Sequence, residues 1–476
     1  MTTISTEHYK NKAKEAIKDD VLQSALAGLQ NRLGPATAAM YKNLPEGDEL
    51  RYKAHEVRMF ALDNLDMLLE QLAQKIRQRG GNVFFARDQK EAVNYCLEIT
   101  RRRKAKLAVK GKSMVSEEIG LNDALIKDGV KAVETDLGEY IVQLAGEHPS
   151  HIIAPAIHKT RNQIGSLFEE KLGISYTNDP PTLTKAARKH LRDAFLTADI
   201  GFSGCNLACA ETGHITTLSN EGNIRLATTL PKVHVAIMGM ERIVASLEDH
   251  DALFRLLSRG AAAQNLAGYV SYIGGPALDS EIDGPEEFHL VILDNGRSKI
   301  LADEEFKEIL CCIRCAACLN VCPVYGKIGG HSYGCTYTGP IGAVLTPLMT
   351  DIGQSKDLFQ GESLCGACQD NCPVNINLPR MLLALRAKTA EGDPRWNIKP
   401  SSPVEKFIFS IWSKLISNRK AYDFFFRLAR FGQKILPTKN GEIRKLPPPF
   451  SGWTLDRDMQ QIASKSFIQK WKETQK

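Results

Sequence analysis

The sequence predicts an α/β protein: a parallel or mixed sheet domain, then a cysteine-rich helical domain, then a helical tail. Three observations carry this. Short apolar strands alternate with amphipathic helical patterns from residue 82 onward. Nine of the 12 cysteines lie between Cys311 and Cys372. The stretch from Ser401 to Lys476 holds 15 Lys and Arg against 6 Asp and Glu, a net +9, so the other 400 residues of this +6 chain sum to −3. Basic charge so confined argues against a nucleic-acid binder. A length of 476 residues with 43% hydrophobic and 24% charged residues suits two or three globular domains and excludes a fibrous or wholly disordered chain. The longest apolar run, Phe407 to Ile416, carries Lys414 and is short of the roughly 20 residues of a membrane span. The first 20 residues have no apolar core segment, so no secretory signal and a cytoplasmic location are expected.

The elements follow in order. LQSALAGLQNRL (22–33) and RMFALDNLDMLLEQLAQKI (58–76) place apolar residues three and four apart and predict helices, the second stopped by Gly80-Gly81. NVFFA (82–86), KLAVK (106–110), KAVETD (131–136) and HIIAPA (151–156) read as strands. KEAVNYCLEITRRR (90–103) and MVSEEIGLNDALIKDG (114–129) read as the helices between them. From Ala198 to Asn295 the strands crowd together as ADIGFSG, HITTLSN, HVAIMGM and FHLVILD, which predicts a second, partly antiparallel lobe or sheet extension. Short helices around cysteines begin at Leu301, and proline-interrupted helices follow Pro394. The expected division is 1–60 helical, 61–300 α/β, 301–395 cysteine-rich and 396–476 basic tail.

Cys312-Ile-Arg-Cys315-Ala-Ala-Cys318-Leu-Asn-Val-Cys322-Pro323 is the run that holds a cubane iron–sulfur cluster. Three thiolates on one tight loop reach three corners of a [4Fe–4S] cube, and the fourth cysteine ligates the other cluster. Cys365-Gly-Ala-Cys368-Gln-Asp-Asn-Cys372-Pro373 repeats this run without its first cysteine, whose register position is Glu362. Two [4Fe–4S] clusters are therefore expected. Cys312, Cys315, Cys318 and Cys372 would hold the first, and Cys322, Cys365 and Cys368 three corners of the second. The second cluster's last corner is open between Cys335, the better donor by thiolate chemistry, Glu362, and an incomplete or three-iron cluster. A zinc site would leave three of the seven cysteines idle and give no reason for both Cys-Pro endings. Cys311 is out of register and reads as packing, as do Cys205 and Cys209.

Other motifs fail. Lys110-Gly111-Lys112-Ser113 resembles the end of a phosphate loop, but position 106 is lysine where the pattern needs glycine. Gly201-Phe-Ser203-Gly-Cys205 misses the nucleophile elbow by its last residue. No G-x-G-x-x-G or H-E-x-x-H occurs. Glu211-Thr-Gly213 with Asn220-Glu221-Gly222-Asn223 is the most cleft-like polar cluster, because glycine permits close approach of a ligand. No catalytic residue is identified.

KGKSMVSEEIGLN (110–122), ETDLGEYIVQL (134–144), HIIAPAIHKTR (151–161), GCNLACAETGHITTLSNEGNIRLATTLPKVHVAIMGMERI (204–243) and DGPEEFHLVILDNGRS (283–298) resemble the lactate-utilization (LUD) domain. With GGHSYGCTYTGPIGAVLTPL (329–348) between the cysteine arrays, the whole resembles the lactate utilization protein B family. The resemblance implies a LUD-type sheet domain like those of sugar-phosphate isomerases and CoA transferases, joined to a helical ferredoxin-type module. It implies an iron–sulfur electron-transfer subunit of a complex oxidising L-lactate to pyruvate. The implied partners are a cysteine-rich CCG-domain subunit and a second LUD-domain subunit. The residues alone also allow an electron-transfer subunit for another substrate, such as glycolate or a disulfide. A redox or ligand sensor is weakened by the lack of a helix-turn-helix signal. The basic tail suits an acidic partner face or peripheral contact with an anionic membrane.

Ligand exchange between the arrays has a direct consequence. Cys372→Ser should damage the cluster on the Cys312 loop despite its distance in sequence. Electron paramagnetic resonance (EPR) checks this, and a change confined to the second cluster would contradict the exchange.

Overall fold

The structure, a computed structural model, describes residues 8–400, 402–448, 450–454 and 457–475. Residues 1–7, part of the stretch read above as lacking a leader, lie outside them. Four helices open the chain: Tyr9–Ala16, Asp20–Lys42, Gly47–Asp63 and Leu65–Gln78. Asp19 caps the second by accepting from Leu22 N. The predicted helix over 58–76 is broken at Asn64, whose φ of −120° leaves the helical region. Its Nδ2 donates back to Phe60 O, a local bond that competes with helix continuation. Gly80, at φ +82°, ends the second half.

Up to residue 293 the strands are β1 (Asn82–Ala86), β2 (Leu107–Lys110), β3 (Lys131–Glu134), β4 (Ile200–Gly204), β5 (Leu207–Cys209), β6 (His214–Ser219), β7 (Val233–Gly239), β8 (Ile243–Val244), β9 (Tyr269–Ile273) and β10 (Glu287–Leu293). Among the described residues, six form a sheet in the order β1-β10-β7-β4-β2-β3, parallel throughout. β7 is buried along its whole length, as a strand covered on both faces must be, and its continuous apolar run reflects this. Gly201 lets the helix Asn223–Thr229 lie against β4: a Cβ there would meet Ala227 O at 1.7 Å.

A second sheet, β8-β5-β6-β9, is mixed. β6 pairs antiparallel with β5 and β9, while β5 and β8 run parallel. Of the four crowded segments, only His214–Ser219 belongs to it; the other three join the parallel sheet. The predicted helix over 114–129 is two, Met114–Glu118 and Leu121–Lys127, divided by Gly120 at φ +62°.

The expected strand over 151–156 does not form. His151 Nδ1 accepts from Ile153 N and Ala154 N, and Ser150 N bonds Pro155 O. These bonds close the segment into a tight loop, and Pro155 removes a ladder donor.

From Lys307 the chain makes short turns and helices, up to Leu378–Glu391. Their apolar residues share one core with the N-terminal helices, joining Tyr9, Leu26, Tyr41 and Leu50 to Leu310, Leu319, Tyr325 and Phe359. Polar staples reinforce the contact. Gln30 Nε2 donates to Leu319 O and Cys322 O at 3.2 and 2.7 Å. Arg51 donates to Cys372 O from Nε at 3.0 Å and from Nη2 at 2.8 Å.

Residues 1–389 with 393–398 form one compact unit, and 390–392 with 399–476 a second. The second contains helices Pro403–Ser417 and Arg419–Gly432, capped by Ser402 and Asn418. Its large apolar residues Phe407, Trp412, Phe424 and Phe431 are exposed. Among the described residues no helix is long and apolar enough to cross a membrane.

Candidate metal centre

The two cysteine loops share one backbone shape. Arg314 (φ +60°) and Ala316 (φ +64°) flank Cys315, and Leu364 (φ +57°) and Gly366 (φ +86°) flank Cys365. A left-handed non-glycine residue costs about 1–2 kcal/mol, so three of them at matched positions mark an imposed geometry. Such alternation turns successive N–H groups into a concave nest that favours negative charge. In this register Glu362 stands where Cys312 stands. Among the described residues, no three ligating side chains converge as they would around one bound ion; what the loops share is backbone shape.

N–H groups also meet the sulfurs. Arg314 N donates to Cys312 Sγ at 3.4 Å, Tyr325 N to Cys322 Sγ at 3.4 Å, and Ile376 N to Cys372 Sγ at 3.5 Å. Burial first, then the neighbouring thiols Cys312, Cys315, Cys368 and Cys372, push Cys318 well up. Cys315 is raised by burial, then by Cys372 and Cys312. Cys372 rises to about 11, with burial leading and Cys312 contributing. Cys372 is thus within electrostatic range of Cys312, Cys315 and Cys318, and Cys318 also of Cys368. Thiols raised in this way ionise together only against a compensating cation, which fits iron.

A second group forms around Glu362, buried at 6% exposure. Its Oε2 lies 3.4 Å from Cys322 Sγ, and Tyr333 Oη donates to its Oε1 at 2.9 Å. Cys368 is raised to about 12 by burial, then by Glu362 and Cys365. Cys365 itself is exposed. Cys335 keeps other company: its Sγ donates to Tyr337 O at 2.9 Å and accepts from Thr346 Oγ1 at 3.5 Å. Cys311 is buried, with its Sγ on Met59 Sδ at 3.4 Å.

The sequence pattern of the LUD domain family matches residues 69–293, and that of the 4Fe-4S dicluster domain matches residues 308–376. Lactate utilization protein B of Bacillus cytotoxicus is 43% identical across 99% of this chain and 98% of its own. Those of Bacillus licheniformis and Bacillus subtilis are each 44% identical, across 98% and 96% of this chain and 97% and 94% of theirs. The chain belongs to the lactate utilization protein B family. A solved DUF162 family protein from Deinococcus radiodurans aligns with 48% of this chain and 98% of its own, at 14% identity and a TM-score of 0.28.

In this family member a cage of buried arginines surrounds the Cys312 loop. Arg242 donates to Cys312 O (Nη1, 2.9 Å) and Ile313 O (Nη2, 3.3 Å). Arg58 donates to Ile243 O (2.6 Å) and Leu310 O (3.0 Å). Arg297 pairs with Glu118 at 2.8 Å and Glu241 at 2.6 Å, and Arg314 with Glu241 at 3.3 Å. Burial opposes the ionisation of Glu241, but Arg297, Arg314 and Arg242 outweigh it and hold the carboxyl at about 2. Four buried guanidinium groups face two carboxylates, and an uncompensated buried cation costs several kcal/mol. An oxidised cubane cluster with its four thiolates is a dianion, which balances the excess.

Sequence reasoning missed these arginines. The only signal was Glu241-Arg242 set between apolar strands. The polar cluster read as cleft-like is split: Asn220, Glu221 and Asn223 line a cavity, while Gly213 O accepts from Arg79. Lys110, in the loop that resembles a phosphate site, is buried against Glu134 at 2.8 Å and Glu117 at 3.1 Å.

The cage sets a measurable property. Arg242→Met removes a buried positive charge beside the Cys312 loop and should lower that cluster's midpoint potential by tens of millivolts, as an order of magnitude. The second cluster should move less in the same EPR-monitored redox titration.

Proposed function

We propose that this chain is the iron–sulfur electron-transfer subunit of a complex that oxidises L-lactate to pyruvate. The observation that carries the reading is the matched left-handed residues of the two cysteine loops, with backbone N–H donors on Cys312, Cys322 and Cys372. In this reading Cys312, Cys315, Cys318 and Cys372 hold one [4Fe–4S] cluster. Cys322, Cys365 and Cys368 hold a second, with Glu362 at its remaining corner. When bound, each cluster accepts one electron at a time, so two adjacent clusters match the two electrons that lactate releases. The protein's part is position and charge. Arg314 N of the first nest donates to Cys312, Tyr325 N and Ile376 N donate to Cys322 and Cys372, and the arginine cage favours the reduced, more negative state.

The contact of Glu362 with Cys322, and its register with Cys312, favour it over Cys335. Carboxylate ligation is weaker than thiolate ligation, so the second cluster is expected to be the more labile. Family membership supports assembly with a cysteine-rich CCG-domain subunit and a second LUD-domain subunit. The +9 tail, with its exposed aromatic residues, suits docking within that assembly.

Glu362→Ala should convert the second cluster to a three-iron form or destroy it, while Cys335→Ser leaves both EPR signals in place. The reverse pattern would return the ligand to Cys335. The function itself is tested by adding L-lactate to the anaerobic assembled complex. Both clusters should become reduced, as seen by EPR, and pyruvate should appear. Glycolate reducing them faster than lactate would move the assignment to another hydroxy acid.

A further inference from the structure

The helix Arg419–Gly432 of the basic tail has two apolar sides. On one, Tyr422 and Phe426 are half-buried with their ring centroids 4.4 Å apart. Gln433 continues that side and is tied to the backbone of Ile462: its Nε2 donates to Ile462 O at 3.1 Å, and its Oε1 accepts from Ile462 N at 2.7 Å. This side therefore faces the tail's own fold. The opposite side carries Phe424, Leu428 and Phe431 at helical spacing. They are 69%, 60% and 69% exposed, so nothing in the tail covers them. The preceding helix, Pro403–Ser417, turns out Val404, Ile408 and Ile411 in the same spacing, and neither helix has a buried residue. Apolar stripes of this extent on a folded surface mark an interaction site.

The charges next to the stripe say what covers it. Lys420, Arg427 and Lys434 are exposed and recur every seven residues, which lines them up along one flank of Phe424, Leu428 and Phe431. Asp423, the one acid of the helix, is paired with Arg419 at 2.9 Å. The flank is thus purely cationic. A second copy of the chain would set +9 against +9. A protein groove receives one row of anchors from one helix, whereas here two successive helices leave their apolar stripes outward. A lipid surface meets both features. Apolar side chains sink to the boundary between headgroups and acyl chains, while lysine and arginine stay level with the phosphates.

We propose that the tail docks on an anionic lipid surface. The helix Arg419–Gly432 lies in the plane of the surface, with Phe424, Leu428 and Phe431 inserted and Lys420, Arg427 and Lys434 on lipid phosphates. The other charges of the tail stay available for docking within the assembly. The proposal does not rest on the proposed function.

The test is co-sedimentation of the full-length, iron-loaded protein with vesicles of phosphatidylcholine, either pure or with one-third phosphatidylglycerol. Three of the chain's four tryptophans, Trp412, Trp453 and Trp471, lie in the tail, so their emission reports docking directly. The protein should bind the mixed vesicles at low salt with a blue shift, be released at high salt, and bind pure phosphatidylcholine weakly. Phe424→Ser combined with Phe431→Ser should weaken binding by about tenfold or more. Lys420→Gln combined with Arg427→Gln should weaken it by about tenfold. Iron content and EPR spectra should be unchanged in both. Should the phenylalanine variant lose its iron, the charge variant decides. No binding, equal binding to both kinds of vesicle, or undiminished binding by either variant would overturn the proposal. If vesicles are not bound, and the phenylalanine variant no longer co-purifies with partner subunits, the stripe belongs to a protein partner. If vesicles are not bound and that variant instead abolishes self-association, the stripe belongs to a second copy.

Discussion

The buried excess of positive charge around the Cys312 loop is the constraint from which the rest of this structure follows. Arg58, Arg242 and Arg314 reach it from an N-terminal helix, from the turn after β7 and from the loop itself, and Arg297, which opens the helix Arg297–Leu301, joins Arg314 through Glu241. Each is fixed by carbonyls or by Glu118 and Glu241. Such a cage is unstable empty, because guanidinium groups cannot escape burial by losing a proton. It becomes favourable around a dianion. The α/β domain and the cysteine region are therefore coupled by charge as well as by packing, and neither cysteine loop should hold its shape without metal.

The N-terminal helices complete this coupling. Gln30 and Arg51 donate to the carbonyls of Cys322 and Cys372, the two cysteines that the proposed ligand pattern assigns to the opposite cluster. On that proposed pattern, a small shift at either position would disturb both clusters together. Holding them from a third element, through the carbonyls rather than the sulfurs, leaves the thiolates free for iron.

Much of this was legible in the sequence, for reasons that can be named. The parallel strands NVFFA, KLAVK and HVAIMGM are apolar enough to be seen locally, and the cysteine spacing is a covalent pattern that needs no structure to read. HIIAPA deceived because its apolar composition is a strand's, while its backbone bonds are captured by the His151 ring. β5 and β8 were missed because strands of three and two residues leave no pattern, and the five-residue β9 because it is a partly exposed edge strand. The arginine cage was illegible for a deeper reason. An arginine buried against a distant carbonyl has the same one-letter context as one in solvent, and Arg58 meets Leu310 across most of the chain.

The left-handed residues carry the argument one step further. Arg314 and Leu364 hold a conformation that glycine would adopt at lower cost, yet glycine appears only at position 366. At 314 the side chain has work that glycine cannot do, since its guanidinium pairs with Glu241 and stacks over Tyr337 at 4.8 Å. The strain at this residue aims its backbone N–H at Cys312 and its side chain toward the sheet's C-terminal edge. One strained residue thus ties the Cys312 loop to Glu241 of the α/β domain.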